Sequence, residues 1–303
     1  MQDPSFCTAL SPSRSTMNHS PLPPPVITSL TLGPVELTVS ALDRSVAFYQ
    51  QVLGLTLLSR DGTEATLGLP ERPLVALQER PGAQQVQPRS PGLYHLALLL
   101  PTRADLSRWV QHAARLGLRL GQADHLVSEA FYLSDPDGHG IEVYRDRPSS
   151  EWRWQGGEVE MAGDPIDLDS LLTEPGADVP FTSLPDGTTL GHVHLRVADL
   201  AATEAFYAGV LGFDVVSRWP GALFVSVDGY HHHLGLNTWQ SQGGALAPEG
   251  TSRLTRVTLT VKDIRALHSR LTAAGARFIR EGDRLEVTDP AGNRLRIQAG
   301  GAA

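Results

Sequence analysis

The sequence predicts an α+β fold of four βαβββ modules, and three observations predict it. The chain repeats itself: LTVSALDRSVAFYQQVLGLTLLSR (37–60) is matched by LRVADLAATEAFYAGVLGFDVVSR (195–218), a constant 158 positions further on. The ends of the two halves match as well, SDPDGHGIEVY (134–144) against TDPAGNRLRIQ (288–298). Within each half a strand pattern, a helical pattern and three further short strand patterns occur twice, so a smaller unit underlies the larger repeat.

The elements follow in order. Residues 35–39 alternate and are rich in β-branched side chains, which reads as a strand. Residues 42–53 carry apolar side chains at helical spacing and stop at Gly54, a residue suited to a helix C-terminus. Residues 55–58, 64–69 and 74–77 read as three short strands. Residues 94–100 are the next strand, 106–116 a helix closed by Gly117, and strands follow near Arg119, Phe131 and Ile141. The second half repeats the series from Val193 and from Arg256.

These patterns divide the chain into an expected disordered tail (1–30), a first domain (31–148), a linker (149–188) and a second domain (189–299). The tail is rich in Ser and Pro, with no long apolar stretch and no signal-peptide pattern, and Met17 offers a second start. The linker holds EWRWQGG, DPIDLDSLL and LPDG, and is long enough to let the halves pair their modules in more than one way.

At 303 residues the chain has ample length for two cores. A formal net charge of -8 argues against nucleic-acid and anionic-membrane partners, which select basic patches. No run of about 18 apolar residues is present to span a bilayer. The single cysteine, Cys7, excludes a disulfide framework and fits a reducing compartment, so a cytoplasmic location is expected.

GYHHHLGLN (229–237) sets three of the eleven histidines side by side. Imidazole is the commonest metal ligand. Neighbours on a strand point to opposite faces, so His231 and His233 are expected on one face and His232 on the other.

Four βαβββ modules with AFYxxVLG helices and DPxG turns resemble the vicinal-oxygen-chelate superfamily, over roughly residues 31–299. That superfamily includes glyoxalase I, extradiol ring-cleaving dioxygenases and bleomycin-resistance proteins. VSEAFYLSDPDGHGIEVYRDRP and GHVHLRVADL with GYHHHLGLN are most similar to bacterial two-domain catechol-2,3-dioxygenase-like proteins. The resemblance implies two vicinal-oxygen-chelate domains with half-barrel cups, and metal ligands on the first and last strands of the modules.

Those positions are readable one by one. The first module offers Pro34 and LVALQ, neither of which ligates through a side chain. The second offers His95 and Glu142, and the third offers His192, with His194 on the same face, and the histidine run. The fourth begins RLTRVTLT and carries Arg296 where the second has Glu142; Arg294 and Arg296 are expected on a solvated strand edge. If the second module pairs with the third, one cup gathers His95, Glu142 and His192. That is a two-histidine, one-carboxylate set of the kind non-haem Fe(II) oxygenases use, which leaves three coordination positions open. The first and fourth modules then form a cup without ligands. Such crossed pairing resembles monomeric glyoxalases that look like fused, swapped dimers.

The resemblance assigns further roles. The extradiol fingerprint runs from His125 through Phe131 and Tyr132 to Glu142, with Ala123 as its one departure. His125 and Tyr132 would hydrogen-bond the bound phenolate oxygen, and His232 would move protons. The implied reaction is meta cleavage of a small aromatic diol by O2 on Fe(II), with Mn(II) accepted by the same ligands. Taken singly, His95 also reads as a core histidine, Glu142 as a strand residue facing water, and His125 as a turn cap. His139, inside the DPDGHG turn, is assigned to turn chemistry. Two other functions stay open on this fold: a glyoxalase-like metal-dependent lyase or isomerase, and a metal-free small-molecule binding or resistance protein.

Overall fold

The computed structural model describes residues 27–300. Module one comprises β1 (Thr31–Val39), α1 (Leu42–Gln51), β2 (Thr56–Asp61), β3 (Glu64–Leu69) and β4 (Arg72–Glu79). Module two comprises β5 (Gly92–Leu99), α2 (Arg103–Arg115), β6 (Gly121–Asp124), β7 (Ser128–Ser134) and β8 (Gly140–Asp146). The connecting segment holds a two-residue hairpin, β9 (Trp154–Gln155) and β10 (Glu158–Val159), and α3 (Leu168–Leu172). Module three comprises β11 (Thr189–Arg196), α4 (Leu200–Glu204), β12 (Asp214–Trp219), β13 (Ala222–Ser226) and β14 (Leu234–Asn237). Module four comprises β15 (Leu254–Val261), α5 (Ile264–Ala273), β16 (Phe278–Glu281), β17 (Arg284–Thr288) and β18 (Arg294–Ala299). The AFYxxVLG helix is thus α-helical in module one. In module three it widens after Glu204 into π-helical turns, Ala205–Leu211, ended by Gly212 at φ 92°.

Among the described residues, the strands other than the β9–β10 pair form two eight-stranded sheets. One runs β16-β17-β18-β15-β1-β4-β3-β2 and the other β12-β13-β14-β11-β5-β8-β7-β6. Module one therefore pairs with module four, and module two with module three. The segments 31–148 and 189–299 are repeats of the sequence, and each sheet takes one module from either. Residues 1–26 of the expected tail lie outside the described residues. Ile27 and Leu30 are buried in the core, so a tail ending at residue 30 runs too far.

One large apolar core joins both sheets and the helices, with two small clusters beside it among the described residues. Each large side chain fully buried there contributes about 1.5–3 kcal/mol of hydrophobic stabilisation. Helices pair within the sequence halves while strands pair between them. Trp109 on α2 donates its indole N–H to the Val52 carbonyl at 3.1 Å, and Arg270 on α5 donates to the Val210 carbonyl at 2.9 Å. The tyrosine of each AFY motif donates to the aspartate of the next DPxG turn: Tyr49 to Asp135 at 3.2 Å and Tyr207 to Asp289 at 3.1 Å. His139 belongs to this turn, as expected, and its buried Nε2–H donates to the Thr38 carbonyl at 2.9 Å. Asn293 occupies the matching place and donates to the Arg196 carbonyl at 3.2 Å. These bonds lock one sheet to the other.

Two β-bulges aim the strands that carry the site. On β5 the register passes from His95 opposite His194 to Leu93 opposite Leu195, leaving Tyr94 as the extra residue. On β11 it passes from Leu190 opposite Leu98 to His192 opposite Ala97, leaving Gly191 extra. An extra residue reverses the alternation of side chains beyond it. Leu93, Leu96 and Leu98 accordingly enter the core, while Tyr94 and His95 line the cavity of the second sheet.

The connecting segment is packed rather than loose. Asp124 and Asp164 exchange backbone hydrogen bonds at 2.7 and 3.0 Å, covering the edge strand β6, and Ile166, Leu171 and Leu184 are buried. Among the described residues no helix is long and apolar enough to cross a membrane.

Candidate metal centre

Strand register assembles the candidate site. Ala97 on β5 pairs with His192 on β11 to one side and with Glu142 on β8 to the other, and His95 lies two residues back on the same face. Adjacent strands are only about 4.8 Å apart, so the three side chains converge over the small methyl of Ala97. Glu142 Oε2 lies 2.9 Å from His95 Nε2 and 3.1 Å from His192 Nε2, and the three candidate ligand atoms all fall within 4.8 Å of one another. His95 is 6%, Glu142 2% and His192 2% exposed.

The protonation states suit a cation. Burial alone would push the Glu142 carboxyl up, but the two imidazoles beside it hold it well below the usual carboxylate range. Burial pulls His192 below the ordinary imidazole value, against the upward pull of Glu142. An ionised carboxylate and a neutral imidazole are the forms that ligate. His95 Nε2 and Glu142 Oε1 are buried with no hydrogen-bond partner among the described residues, a cost that a bound divalent ion removes. Each imidazole nitrogen lies about 3 Å from one Glu142 oxygen, so the three groups converge closely enough to share one small divalent ion. The donor set fits a metal.

The triad floors a cavity of about 400 Å³. His125 and Tyr132 stand on one wall. His125 Nδ1 lies 2.6 Å from the Ala162 carbonyl, which only accepts, so Nδ1 carries the proton and Nε2 accepts from the Tyr132 hydroxyl at 2.6 Å. Burial, then the charge of Glu142, pushes the Tyr132 phenol well above its ordinary pKa and keeps it a donor. On another wall the His232 ring packs at a tilt 4.2 Å from the His192 ring and edge-on 5.1 Å from the Phe224 ring, centroid to centroid. Burial, followed by neighbouring imidazoles, depresses its pKa strongly, so it is neutral.

The histidine run departs from the expected alternation. It forms the bend that precedes β14 rather than part of the strand. His231 and His232 consequently touch, Nδ1 to Nδ1 at 2.8 Å, instead of facing apart. His233 is tied separately, with Ser226 Oγ 2.8 Å from its Nδ1. His194 shares the face of His192 as expected, but packs 4.9 Å from the His95 ring with its Nε2 held by Asn237 Nδ2 at 3.0 Å. Gly235 makes room for it, since a Cβ there would lie 2.7 Å from the His194 ring. Tyr94, Met161, Trp219, Phe224 and Trp239 also line the cavity and are not among the residues the sequence points to. They come from separate segments with no shared spacing; only the aromatic content of 219–239 hinted at them.

The equivalent cup on the other sheet holds charge of both signs. Arg256 pairs with Glu36 at 2.7 Å and Glu286 at 2.8 Å, and Arg296 with Glu286 at 2.8 Å and Glu36 at 3.4 Å. Arg296 is therefore not on a solvated edge as expected: register turns it into the cup beside Glu286. Arg294 is exposed.

Comparison with known proteins agrees with this architecture. The profile of the Glyoxalase/Bleomycin resistance protein/Dioxygenase superfamily matches residues 31–143 and 189–297. A catechol-2,3-dioxygenase of Bacillus subtilis (strain 168) is 41% identical over 267 residues, covering 86% of this chain and 93% of the relative. Glutathione transferase FosA of Serratia marcescens is 31% identical over 114 residues, covering 38% of this chain and 79% of that protein. The crystal structure of glyoxalase I from Zea mays superposes with a TM-score of 0.54 at 17% identity, covering 89% of this chain and 92% of that one, which shows the shared fold. Crossed βαβββ modules, curled eight-stranded sheets and a profile match in both halves make this chain a member of the glyoxalase/bleomycin resistance protein/dioxygenase superfamily.

Proposed function

We propose that the chain is an extradiol dioxygenase that opens the ring of a catechol with O2, using Fe(II) held by His95, Glu142 and His192. The observation that carries this reading is the two-histidine, one-carboxylate set at the floor of an aromatic cavity, with three proton-handling side chains on its walls. The extensive identity to a catechol-2,3-dioxygenase supports it. When bound there, Fe(II), or Mn(II) on the same ligands, lowers the pKa of a phenol and brings diol and O2 together.

The remaining work falls to the chain. His232, neutral and facing the cavity, accepts a proton from a diol hydroxyl and returns it later. Tyr132, its one hydroxyl hydrogen held by His125, presents its oxygen to the cavity as an acceptor for a substrate hydroxyl. Phe224, Trp219 and Trp239 hold the ring by edge and face contacts and keep water out. A cavity of about 400 Å³ falls in the range that takes a small organic ligand.

The test is Fe(II) stoichiometry on anaerobically reconstituted protein, followed by O2 uptake with a panel of catechols. One iron per chain and O2 consumption with a yellow ring-cleavage product are expected. Iron binding without O2 uptake would point to a lyase or isomerase. No metal binding at all would point to a binding protein.

A further inference from the structure

We infer that Asp146 and His231 are positioning residues for His232, fixing its tautomer so that an unprotonated Nε2 faces the cavity. The inference rests on the proton-handling role given to His232 above.

The geometry is a chain of short hydrogen bonds. Asp146 Oδ1 lies 2.7 Å from His231 Nε2, and His231 Nδ1 lies 2.8 Å from His232 Nδ1. A carboxylate only accepts, so His231 carries its proton on Nε2. The 2.8 Å Nδ1–Nδ1 contact needs one donor and one acceptor; we assign the acceptor to His231, whose proton Asp146 holds on Nε2, so that His232 donates its own Nδ1–H. The remaining nitrogen of His232, Nε2, is left as the base, on a ring that lines the cavity.

Each link is itself held. The second oxygen of Asp146 accepts from the Tyr230 hydroxyl at 3.0 Å, and Tyr230 shares a hydrogen bond with the Tyr144 hydroxyl at 2.8 Å. Gly191 leaves the space for Tyr144, because a Cβ there would collide with its hydroxyl. His231 is fully buried and packs 5.0 Å from the Trp152 ring. The backbone is shaped for the purpose. Asp228 and Gly229 both adopt positive φ, 55° and 72°, and turn the chain into the bend. A non-glycine residue there carries a cost. On a strand the two rings would face apart; in the bend they meet. The three adjacent histidines thus divide their work: His231 links, His232 faces the cavity, and His233 closes the turn on Ser226.

Nitrogen-15 NMR of the full-length, metal-free chain labelled at histidine reads the tautomer directly, with His232→Gln supplying the assignment. The expected His232 signature is a protonated Nδ1 and an unprotonated Nε2, lost or mixed in His231→Phe and Asp146→Asn. A proton on Nε2 in the wild type, or a tautomer unchanged by both variants, would overturn the inference. In the iron-loaded enzyme His231→Phe is expected to lower kcat roughly 10-fold with KM and iron content unchanged, and Asp146→Glu to retain most of the rate. A fall in iron content matching the fall in rate would mean a structural role instead. Should the wild type cleave no catechol, the dioxygenase reading fails, while the NMR result still decides the tautomer.

Discussion

The two cups of this molecule are built at matching register positions and hold opposite chemistry. Where the second sheet carries His95, Glu142, His194 and Tyr132, the first carries Arg256, Arg296, Glu36 and Glu286. Pro34 stands where the repeat places His192. In the first sheet two carboxylates meet two guanidiniums, and the charges close on one another. In the second a lone carboxylate sits between imidazoles and keeps an oxygen without a partner. The scaffold dictates where side chains converge. Whether the convergence can accept a cation depends on whether the cup supplies its own.

The largest expected effect breaks the histidine cup. Glu142→Ala or His192→Ala should weaken Fe(II) binding by at least ~100-fold in equilibrium titration, whereas Arg296→Ala should leave iron stoichiometry at the wild-type value. Next, Fe(II) at about 100 times its Kd should stabilise the wild type by about 2.7 kcal/mol in chemical denaturation. His95→Ala should abolish that gain and Arg256→Met should preserve it. If both variants lost it, the two cups would not be independent.

Smaller effects belong to the charged cup. Glu36→Gln removes one of the two carboxylates shared by the arginines. The groups are only about four-fifths buried, so the cost falls below that of a fully buried pair, at about 1–2 kcal/mol in urea denaturation, with kcat unchanged. Replacing all four by apolar residues of similar volume should cost less than removing Glu36 alone. The smallest effect is a pH difference. Burial lowers the pKa of His192 from 6.5, so protons compete for this ligand only at lower pH than for a free imidazole. Iron should remain bound at pH 6.5 and be released as pH falls further. Half-release above 6.5 would contradict a buried, neutral His192. Arg256 is shifted upward by its hydrogen bonds to Glu36, so its cup should not change over that range.

The module pairing is legible at the ligand positions that the family resemblance implies, because ligand types are missing from modules one and four in a complementary way, with Pro34 and Arg296 where modules three and two carry His192 and Glu142. His125 and Tyr132 come from the resemblance to the extradiol fingerprint rather than from composition or periodicity, and the two meet at 2.6 Å. Ala162, whose carbonyl sets the His125 tautomer, is not legible, because a backbone group in a connection leaves no mark in composition. Nor is the Asp146–His231 link. Read as a strand the segment alternates, but its positive-φ residues make it a bend, and the partner lies 85 positions away.

Crossed pairing also sets an order of events for a chain made from its N-terminus. Every strand of the inner sheet lies between Gly92 and Asn237, so the histidine cup is complete in sequence before β15 begins at Leu254. The outer sheet is nested around it: β1, among the first strands made, waits for β15 and the C-terminal strands to pair its free edge. Until then it exposes unpaired backbone and apolar surface, the combination that invites association with other chains. A chain truncated before module four would therefore own every proposed metal ligand and still be prone to aggregate, its stability decided by the sheet that supplies none of those ligands.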